Sequence, residues 1–222
     1  MMKRFVFILT FCILHLSNVV RAQDIHSSNH LSLDLGIGYS KLGLDIGSLN
    51  DNIDNPRDQF ILLPSFKLKY AIPVTDLSKH LLLEITPFAG YNMFGGKSKE
   101  LSNGYKDVIH LQSIETGFLP TVSIGQYLKL FGGFKGQYIF SARQKAYGTL
   151  MGSGDAPRDW ATINIDDDIK DVGFNAGAGL NYRIKKITIG IETWFGITDI
   201  SESEELKIKD NHFRFTVGYT LK

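Results

Sequence analysis

Cysteine is nearly absent from this chain of 222 residues, because Cys12 is its only one. A single cysteine cannot form an internal disulfide or a cysteine-ligated metal site, so both kinds of framework are excluded. The chain also lacks a charge excess: 24 Lys and Arg face 23 Asp and Glu, and a formal net charge of +1 gives no electrostatic basis for binding nucleic acid. After the first 22 residues, no apolar run approaches the ~18 residues of a membrane-spanning helix, and helical periodicity is missing.

The first 22 residues have the features of an export signal. A positively charged start, MMKR, precedes an apolar stretch from Phe5 to Leu16, and Val20 and Ala22 occupy the −3 and −1 positions before Gln23. The stretch is too short to span a bilayer, which favours a cleaved signal over an anchor. We therefore predict a signal peptide over 1–22 and a mature domain over 23–222. The mature chain would carry 21 basic and 23 acidic residues, a net charge of −2, and no cysteine.

The remainder of the chain alternates between apolar and polar residues with a period of two, which is typical of strands with two unlike faces. In 172–184, Val172, Phe174 and Leu180 share one face, whereas Asn175 and Arg183 share the other. Eight segments follow this pattern: 31–40, 62–70, 81–92, 108–124, 128–143, 172–184, 187–198 and 212–221. Most of them reach the ~9–11 residues with which a tilted strand crosses a bilayer. In 108–124 the parity slips near Gln112, which predicts a β-bulge.

The connections between the predicted strands alternate in length. Gly125-Gln126 and Lys185-Lys186 are tight, and the link around Pro73 to His80 is modest. Four links are longer and polar: 47–58, 96–107, 144–170 and 201–211. An outer-membrane barrel with both chain ends on the periplasmic side has short turns inside and long loops outside. The pattern therefore predicts an all-β fold, an eight-stranded antiparallel up-and-down transmembrane barrel.

The polar face carries charge on every predicted strand, and it must line either the interior or the surface of the barrel. A soluble lipocalin-like exported barrel would turn it outward and is the alternative. Three features favour an inward polar face: acids and bases can pair across a narrow lumen, glycines on this face leave room for long side chains, and tyrosines end several apolar faces as in an interfacial girdle. These tyrosines are Tyr39, Tyr70, Tyr91, Tyr182 and Tyr219. The predicted lumen charge network, to which we assign a structural role, comprises Asp34, Lys67, Lys69, Glu84, Glu115, Lys129, Lys135, Arg143, Arg183, Glu192 and Arg214.

The Val-Arg-Ala before Gln23, the eight alternating segments and the terminal FRFTVGYTLK resemble a known family. It is the family of small outer-membrane β-barrels related to the OmpA and OmpX barrels, and in particular the barrel-domain proteins common in Bacteroidetes and grouped with PorT. The resemblance is one of pattern and covers nearly all of 23–222. It implies contact with outer-membrane lipid and recognition by the outer-membrane assembly machinery. Because the chain ends in Leu221-Lys222, Phe215 and Tyr219 would replace the usual terminal aromatic residue in that recognition.

An eight-stranded barrel is just wide enough to be filled by its own side chains. We therefore expect a monomer with a structural, interaction or adhesion role, exercised through its outward loops toward an extracellular or envelope protein. We expect no catalytic, cofactor or metal site and no nucleic-acid partner. A small-solute pore is the alternative. A less favoured alternative is a lipid A-modifying enzyme, which needs a His beside a Ser or an acid. His110 near Ser113 and Glu115 is the candidate, although they lie on opposite faces unless the bulge realigns them.

The remaining histidines after the leader, to which we assign no role, are His26, His30, His80 and His212. The run Asp166-Asp167-Asp168 lacks the spacing and the Gly of a calcium-binding loop, so we expect a solvated loop. In the same predicted loop, Trp160 is a candidate anchor for a partner or for the lipopolysaccharide zone.

Overall fold

The computed structural model describes residues 29–45, 59–78, 80–98, 106–125, 127–147, 160–203 and 207–221. Within these ranges the chain forms nine antiparallel strands that share one sheet. The strands are β1 (His30–Asp45), β2 (Ile61–Ser78), β3 (Leu81–Lys97), β4 (Lys106–Ile124), β5 (Leu128–Tyr147), β6 (Trp160–Asn164), β7 (Val172–Ile184), β8 (Ile187–Gly196) and β9 (Lys207–Thr220). A 3₁₀ turn, Asp166–Asp168, follows β6. In these ranges no helix has the length and apolar character that crossing a bilayer requires.

Eight of the strands close into a ring, which confirms the predicted fold. From β1 to β5, each strand pairs with the next strand in the chain. β5 then pairs with β7, β7 with β8 and β8 with β9, and β9 closes the ring by pairing with β1. The ninth strand, β6, is not predicted by the alternation of the sequence. It pairs with the outer end of β5, from Arg143↔Asn164 to Tyr147↔Trp160. The β5–β6 hairpin therefore extends the barrel wall on the side of the long connections.

Several element boundaries differ from the prediction. β2 continues to Ser78 and β3 begins at Leu81, so the link predicted around Pro73 to His80 is a tight turn and Pro73 lies inside a strand. The predicted loop 144–170 is shorter, because β5 runs to Tyr147 and Trp160–Asn164 is a strand. The predicted signal peptide, the loop 47–58 and His26 lie outside the described residues.

The apolar face of the ring points outward and the charged face points inward. Leu35, Phe215 and Ile189 are 62%, 61% and 51% exposed, whereas Lys67 and Arg214 are 2% and 0% exposed. A lipocalin-like barrel has the opposite arrangement, so the soluble alternative is wrong. We call the outward apolar surface the lipid belt. Along β4 it runs from Ile124 to Ile114, eleven residues of tilted strand, which corresponds to about 25 Å of membrane thickness.

The predicted bulge near Gln112 is at the right level of the barrel but on the wrong strand. The inward residues of β4 keep one parity throughout, including Ile109, Leu111 and Ser113. The register shift falls between Gln112 and Ser113, and the extra residue, Phe140, belongs to β5. The apparent change of parity in the sequence arises because Ile109 and Leu111 are apolar residues that face the interior.

The bulge also corrects the predicted position of Arg143. Because Phe140 is inserted, Ala142 faces inward and is 1% exposed, whereas Arg143 is exposed on the outside of β5. Arg143 stands opposite His110 of β4 in the register. It is therefore not part of the lumen charge network.

Candidate functional site: the charged lumen and the outer end

Five charged side chains meet in the centre of the barrel, and we call them the central cluster. They come from five of the eight ring strands: Lys67 of β2, Glu115 of β4, Lys135 of β5, Glu192 of β8 and Arg214 of β9. Every one of these side chains is at most 3% exposed. The period of two places them there, because alternate residues of each strand face the lumen.

The central cluster is connected by short charge-assisted hydrogen bonds. Arg214 donates to Glu115 through both terminal nitrogens, at 2.8 Å and 3.0 Å, and to Glu192 at 3.1 Å. Lys135 Nζ donates to Glu115 Oε2 at 2.5 Å, and Lys67 forms an ion pair with Glu192. Since β4 and β9 are not neighbours in the ring, the Glu115–Arg214 contact crosses the lumen.

Aromatic rings fill the space beside these charges. The indole of Trp194 is fully buried, and the Nζ atoms of Lys135 and Lys67 lie 5.1 Å and 5.4 Å from its centroid. Gly177 stands opposite Trp194 in the register, and a Cβ at this glycine would come within 2.6 Å of the indole ring. At this position the glycine makes room for an aromatic ring rather than for a charged chain.

Two further ion pairs lie nearer the end of the barrel that carries the short turns, which we call the inner mouth. Lys69 pairs with Asp34 on the neighbouring strand. Lys129 Nζ donates to Glu84 Oε2 at 2.7 Å, and the Ser123 hydroxyl donates to the same oxygen at 2.8 Å. A cavity of about 40 Å³ opens beside these pairs, which is room for a few water molecules.

Arg183 also lines this inner cavity, but it differs from the buried cations. It is half-buried, and its Nε donates to the carbonyl oxygen of Lys185 at 2.9 Å. Of the eleven residues predicted for the lumen network, the structure therefore places nine in buried or nearly buried ion pairs, one at the inner mouth and Arg143 on the outside.

The predicted lumen charge network omits several polar residues that adjoin the central cluster. Asp210 Oδ1 lies 3.0 Å from His212 Nδ1, and His212 Nε2 lies 3.3 Å from Lys135 Nζ. Asn175 Nδ2 donates to Asp210 Oδ2 at 3.2 Å. Asp210 and His212 lie on the inward face of β9 and Asn175 lies on that of β7, so the alternation of these two strands was the signal that could have identified them.

The outer end of the lumen is closed by apolar side chains, which we call the outer apolar cluster. They come from five ring strands and from the segments that follow β6 and β8, and each is at most 4% exposed. The members are Leu42, Phe94, Ile109, Leu111, Ile139, Ala142, Ile169, Ile200 and Ile208. An ion that entered the lumen would therefore meet the central cluster and then the buried side chains of the outer apolar cluster.

The candidate catalytic group of the lipid-modifying alternative does not assemble. Ser113 and Glu115 are fully buried in the lumen, whereas His110 lies half-buried on the outward face of β4. Ser113 donates instead to the carbonyl oxygen of Asn92 at 3.3 Å, and Glu115 is engaged by Lys135 and Arg214. The bulge does not realign these residues, because it lies on β5.

The acidic run after β6 is bound to the backbone of β5 through Asp166. Asp166 Oδ1 accepts a hydrogen bond from the backbone N–H of Ala142 at 2.5 Å, and all three aspartates of the 3₁₀ turn are exposed. Across the described ranges, no group of three or more His, Cys, Asp or Glu side chains has an arrangement suited to a metal ion.

A closed ring of eight tilted strands with a lipid belt outside and ion pairs inside defines a transmembrane β-barrel. A family model described as "Outer membrane protein beta-barrel domain" matches residues 22–202. The chain belongs to this family and is an outer-membrane protein.

Solved structures with a similar shape are also small barrels. Ail, the attachment invasion locus protein of Yersinia pestis, is 15% identical over 88% of this chain and 100% of its own, with a TM-score of 0.45. Neisserial surface protein A (NspA) is 12% identical over 87% of this chain and 99% of its own, with a TM-score of 0.46. A comparison with curated protein sequences gave no match.

Proposed function

We propose that this protein is a non-conducting outer-membrane barrel that acts through the surface it presents outside the membrane. The observation that carries this proposal is the central cluster, which crosses the lumen with side chains no more than 3% exposed. Passage of an ion would require breaking the bidentate Glu115–Arg214 contact and opening the outer apolar cluster above it. Removing a buried charge from its partner costs about 3–5 kcal/mol, which opposes spontaneous opening.

The experiment is a conductance measurement in planar bilayers with the purified, folded protein. Folding is checked first by heat-modifiable gel migration, so that a silent bilayer is not confused with unfolded protein. We expect no stepwise conductance at either voltage polarity. Regular conductance steps from the folded sample would overturn the closed-lumen proposal and restore the small-solute pore.

The outward role is supported by the β5–β6 hairpin. Trp160 and Ile163 of β6 are 51% and 49% exposed, although they lie beyond the lipid belt. The Trp160 ring packs against Tyr147 with centroids 5.5 Å apart, and Lys106 Nζ lies 5.1 Å from the Tyr147 centroid. Exposed aromatic residues on a supported hairpin are typical anchors for a protein partner. We assign the interaction or adhesion role to this hairpin and to the loops around it.

Vesicles that carry the protein provide the test of this role. Wild type and the Trp160→Ser, Ile163→Ser double variant are passed over immobilised extracellular-matrix proteins and envelope proteins, and retention is measured. Thr162→Ser, on the same strand, is the matched control. Retention that the double variant loses and Thr162→Ser keeps supports the hairpin as the contact. Equal retention of all three proteins would refute it, and this result is independent of the conductance measurement.

A further inference from the structure

Beyond the lipid belt, one sector of the barrel wall presents a set of basic side chains to the outside. We call Lys97, His110, Arg143 and Lys145 the outer basic cluster. Lys97, Arg143 and Lys145 are exposed, and His110 is half-buried between them. Their inward neighbours on the same strands, such as Ile109 and Ala142, are buried in the outer apolar cluster.

The register brings these residues together on adjacent strands. Lys97 of β3 and Lys145 of β5 both stand opposite Val108 of β4, so they share one row across three strands. With strands about 4.8 Å apart, their Cα atoms are separated by about 10 Å. Arg143 pairs with His110 in the next row of the same face.

No acidic residue occupies an outward strand position of this sector among the described residues. The outward positions above the belt on β3 to β6 are Met93, Gly95, Lys97, Lys106, Val108, His110, Gln112, Ser141, Arg143, Lys145, Tyr147, Trp160, Thr162 and Asn164. Within the described part of the chain, none of these positions holds an Asp or a Glu. Asp166, which accepts a hydrogen bond from the backbone N–H of Ala142, is an exposed acid beside this face. None of the four members of the cluster forms an ion pair with another described residue, in contrast to the lumen, where acids and bases are paired.

The height of the cluster matches that of lipid headgroups. Arg143 is three residues beyond Phe140, an exposed residue of the belt, and His110 is four residues beyond Ile114. A tilted strand rises about 8–10 Å over these distances. The headgroup layer of one leaflet is about 5–8 Å thick, so the backbone of these residues lies at the outer edge of this layer, and their long side chains reach back to the headgroup phosphates.

We propose that the outer basic cluster binds the phosphate groups of outer-leaflet lipid, with Arg143 and Lys145 as the principal contacts and Lys97 reaching the same headgroup from the other side of Val108. Arg presents a planar fork of donors that matches phosphate oxygens, and each Lys adds a compact charge. The cluster is on the side of the long connections, which is the external side of an outer-membrane barrel, where the lipid is lipid A. This site does not depend on whether the lumen conducts.

Native mass spectrometry of the full, folded protein in detergent tests this proposal. The probes are lipid A with two phosphates and the same lipid after removal of its phosphates, and the bound fraction is measured across a titration. Each basic residue near an anionic headgroup contributes about fivefold to affinity. We expect about 25-fold weaker binding of diphosphorylated lipid A to the Arg143→Gln, Lys145→Gln double variant, and about fivefold weaker binding to Lys97→Gln.

Lys186→Gln is the matched control, because Lys186 lies in the tight turn at the opposite end of the barrel. It removes the same charge and should leave binding unchanged. The proposal is overturned if the double variant binds lipid A within about twofold of wild type, if Lys186→Gln weakens binding equally, or if phosphate removal from the lipid has no effect. Displacement of the lipid by inorganic phosphate would also overturn it, because the site would then bind a free anion. Heat-modifiable migration confirms that each variant is folded.

Discussion

Glu115→Gln tests most directly what the central cluster contributes to the stability of the barrel. The carboxylate of Glu115 accepts one hydrogen bond from Lys135 at 2.5 Å and two from Arg214 at 2.8 Å and 3.0 Å. A glutamine keeps one acceptor oxygen and replaces the other with an amide nitrogen that only donates. In the variant, one set of contacts therefore becomes donor against donor inside a fully buried site.

The expected loss follows from the number of contacts. Oε2 of Glu115 carries two of the three hydrogen bonds, one from Lys135 and one from Arg214. A hydrogen bond to a charged group contributes about 1.5–3 kcal/mol, and stranding a buried charge costs about 3–5 kcal/mol. We therefore expect the unfolding free energy to fall by about 3–5 kcal/mol. Glu202→Gln is the matched control: its side chain is exposed, and its variant should change the unfolding free energy by less than about 0.5 kcal/mol.

Urea unfolding in phosphatidylcholine vesicles measures this loss, with tryptophan fluorescence and heat-modifiable migration as two independent readouts. Lys135→Met, alone and combined with Glu115→Gln, completes a double-mutant cycle. Because Lys135 donates directly to Glu115, we expect a coupling energy of about 1.5 kcal/mol or more. A loss below about 1 kcal/mol in Glu115→Gln, or additive effects in the cycle, would refute the assignment of a stabilising role to these contacts.

Three further predictions concern packing, a loop and export. Gly177→Ala should lower the unfolding free energy by about 1–3 kcal/mol, because the new Cβ would come within 2.6 Å of an indole carbon, whereas Gly132→Ala, with its nearest neighbour at 3.7 Å, should be nearly neutral. Equal effects of the two changes would contradict this. Asp199 is partly buried, which opposes its ionisation. Its carboxylate accepts hydrogen bonds from the backbone N–H of Ser201 at 3.0 Å and of Ile208 at 2.8 Å, and these bonds lower the pKa of the carboxyl below its usual 3.8. Hydrogen exchange should therefore show the Ile208 amide fully protected above pH 3.8 and less protected as the pH falls through the lowered pKa. Constant protection would disprove that the charge of Asp199 stabilises this amide. The intact mass of protein taken from outer membranes should correspond to residues 23–222 without a reactive thiol, and labelling by a thiol reagent would show that the leader is retained.

The ring and the orientation of its faces could be predicted because they depend on local alternation. In β2, Phe66 and Leu68 face lipid while Lys67 and Lys69 face the lumen, as the period of two requires. Long strands and the alternation of short and long connections then point to a closed transmembrane barrel rather than to a sandwich. These signals need no knowledge of which strands meet across the lumen.

Features that depend on contacts across the barrel could not be predicted in this way. Ile109 and Leu111 are apolar and face inward, because they pack against Leu42 and Ile208 of distant strands rather than against lipid. The alternation of the sequence cannot distinguish an apolar residue that faces lipid from one that faces an apolar lumen. The same ambiguity shifted the predicted bulge from β5 to β4, and with it the expected position of Arg143.

The lipid belt and the central cluster constrain the strands in different ways. A slip of one residue between neighbouring strands would turn the charged face toward lipid, so the belt alone excludes it. A slip of two residues keeps apolar residues outside and polar residues inside. Contact between the belt and lipid therefore hardly opposes this change of register. The same slip would move Glu115 about 7 Å along its strand, away from Arg214, and would leave buried charges without partners. Because its contacts join strands that are not neighbours, the central cluster selects one register for the whole ring, which lipid contact cannot do.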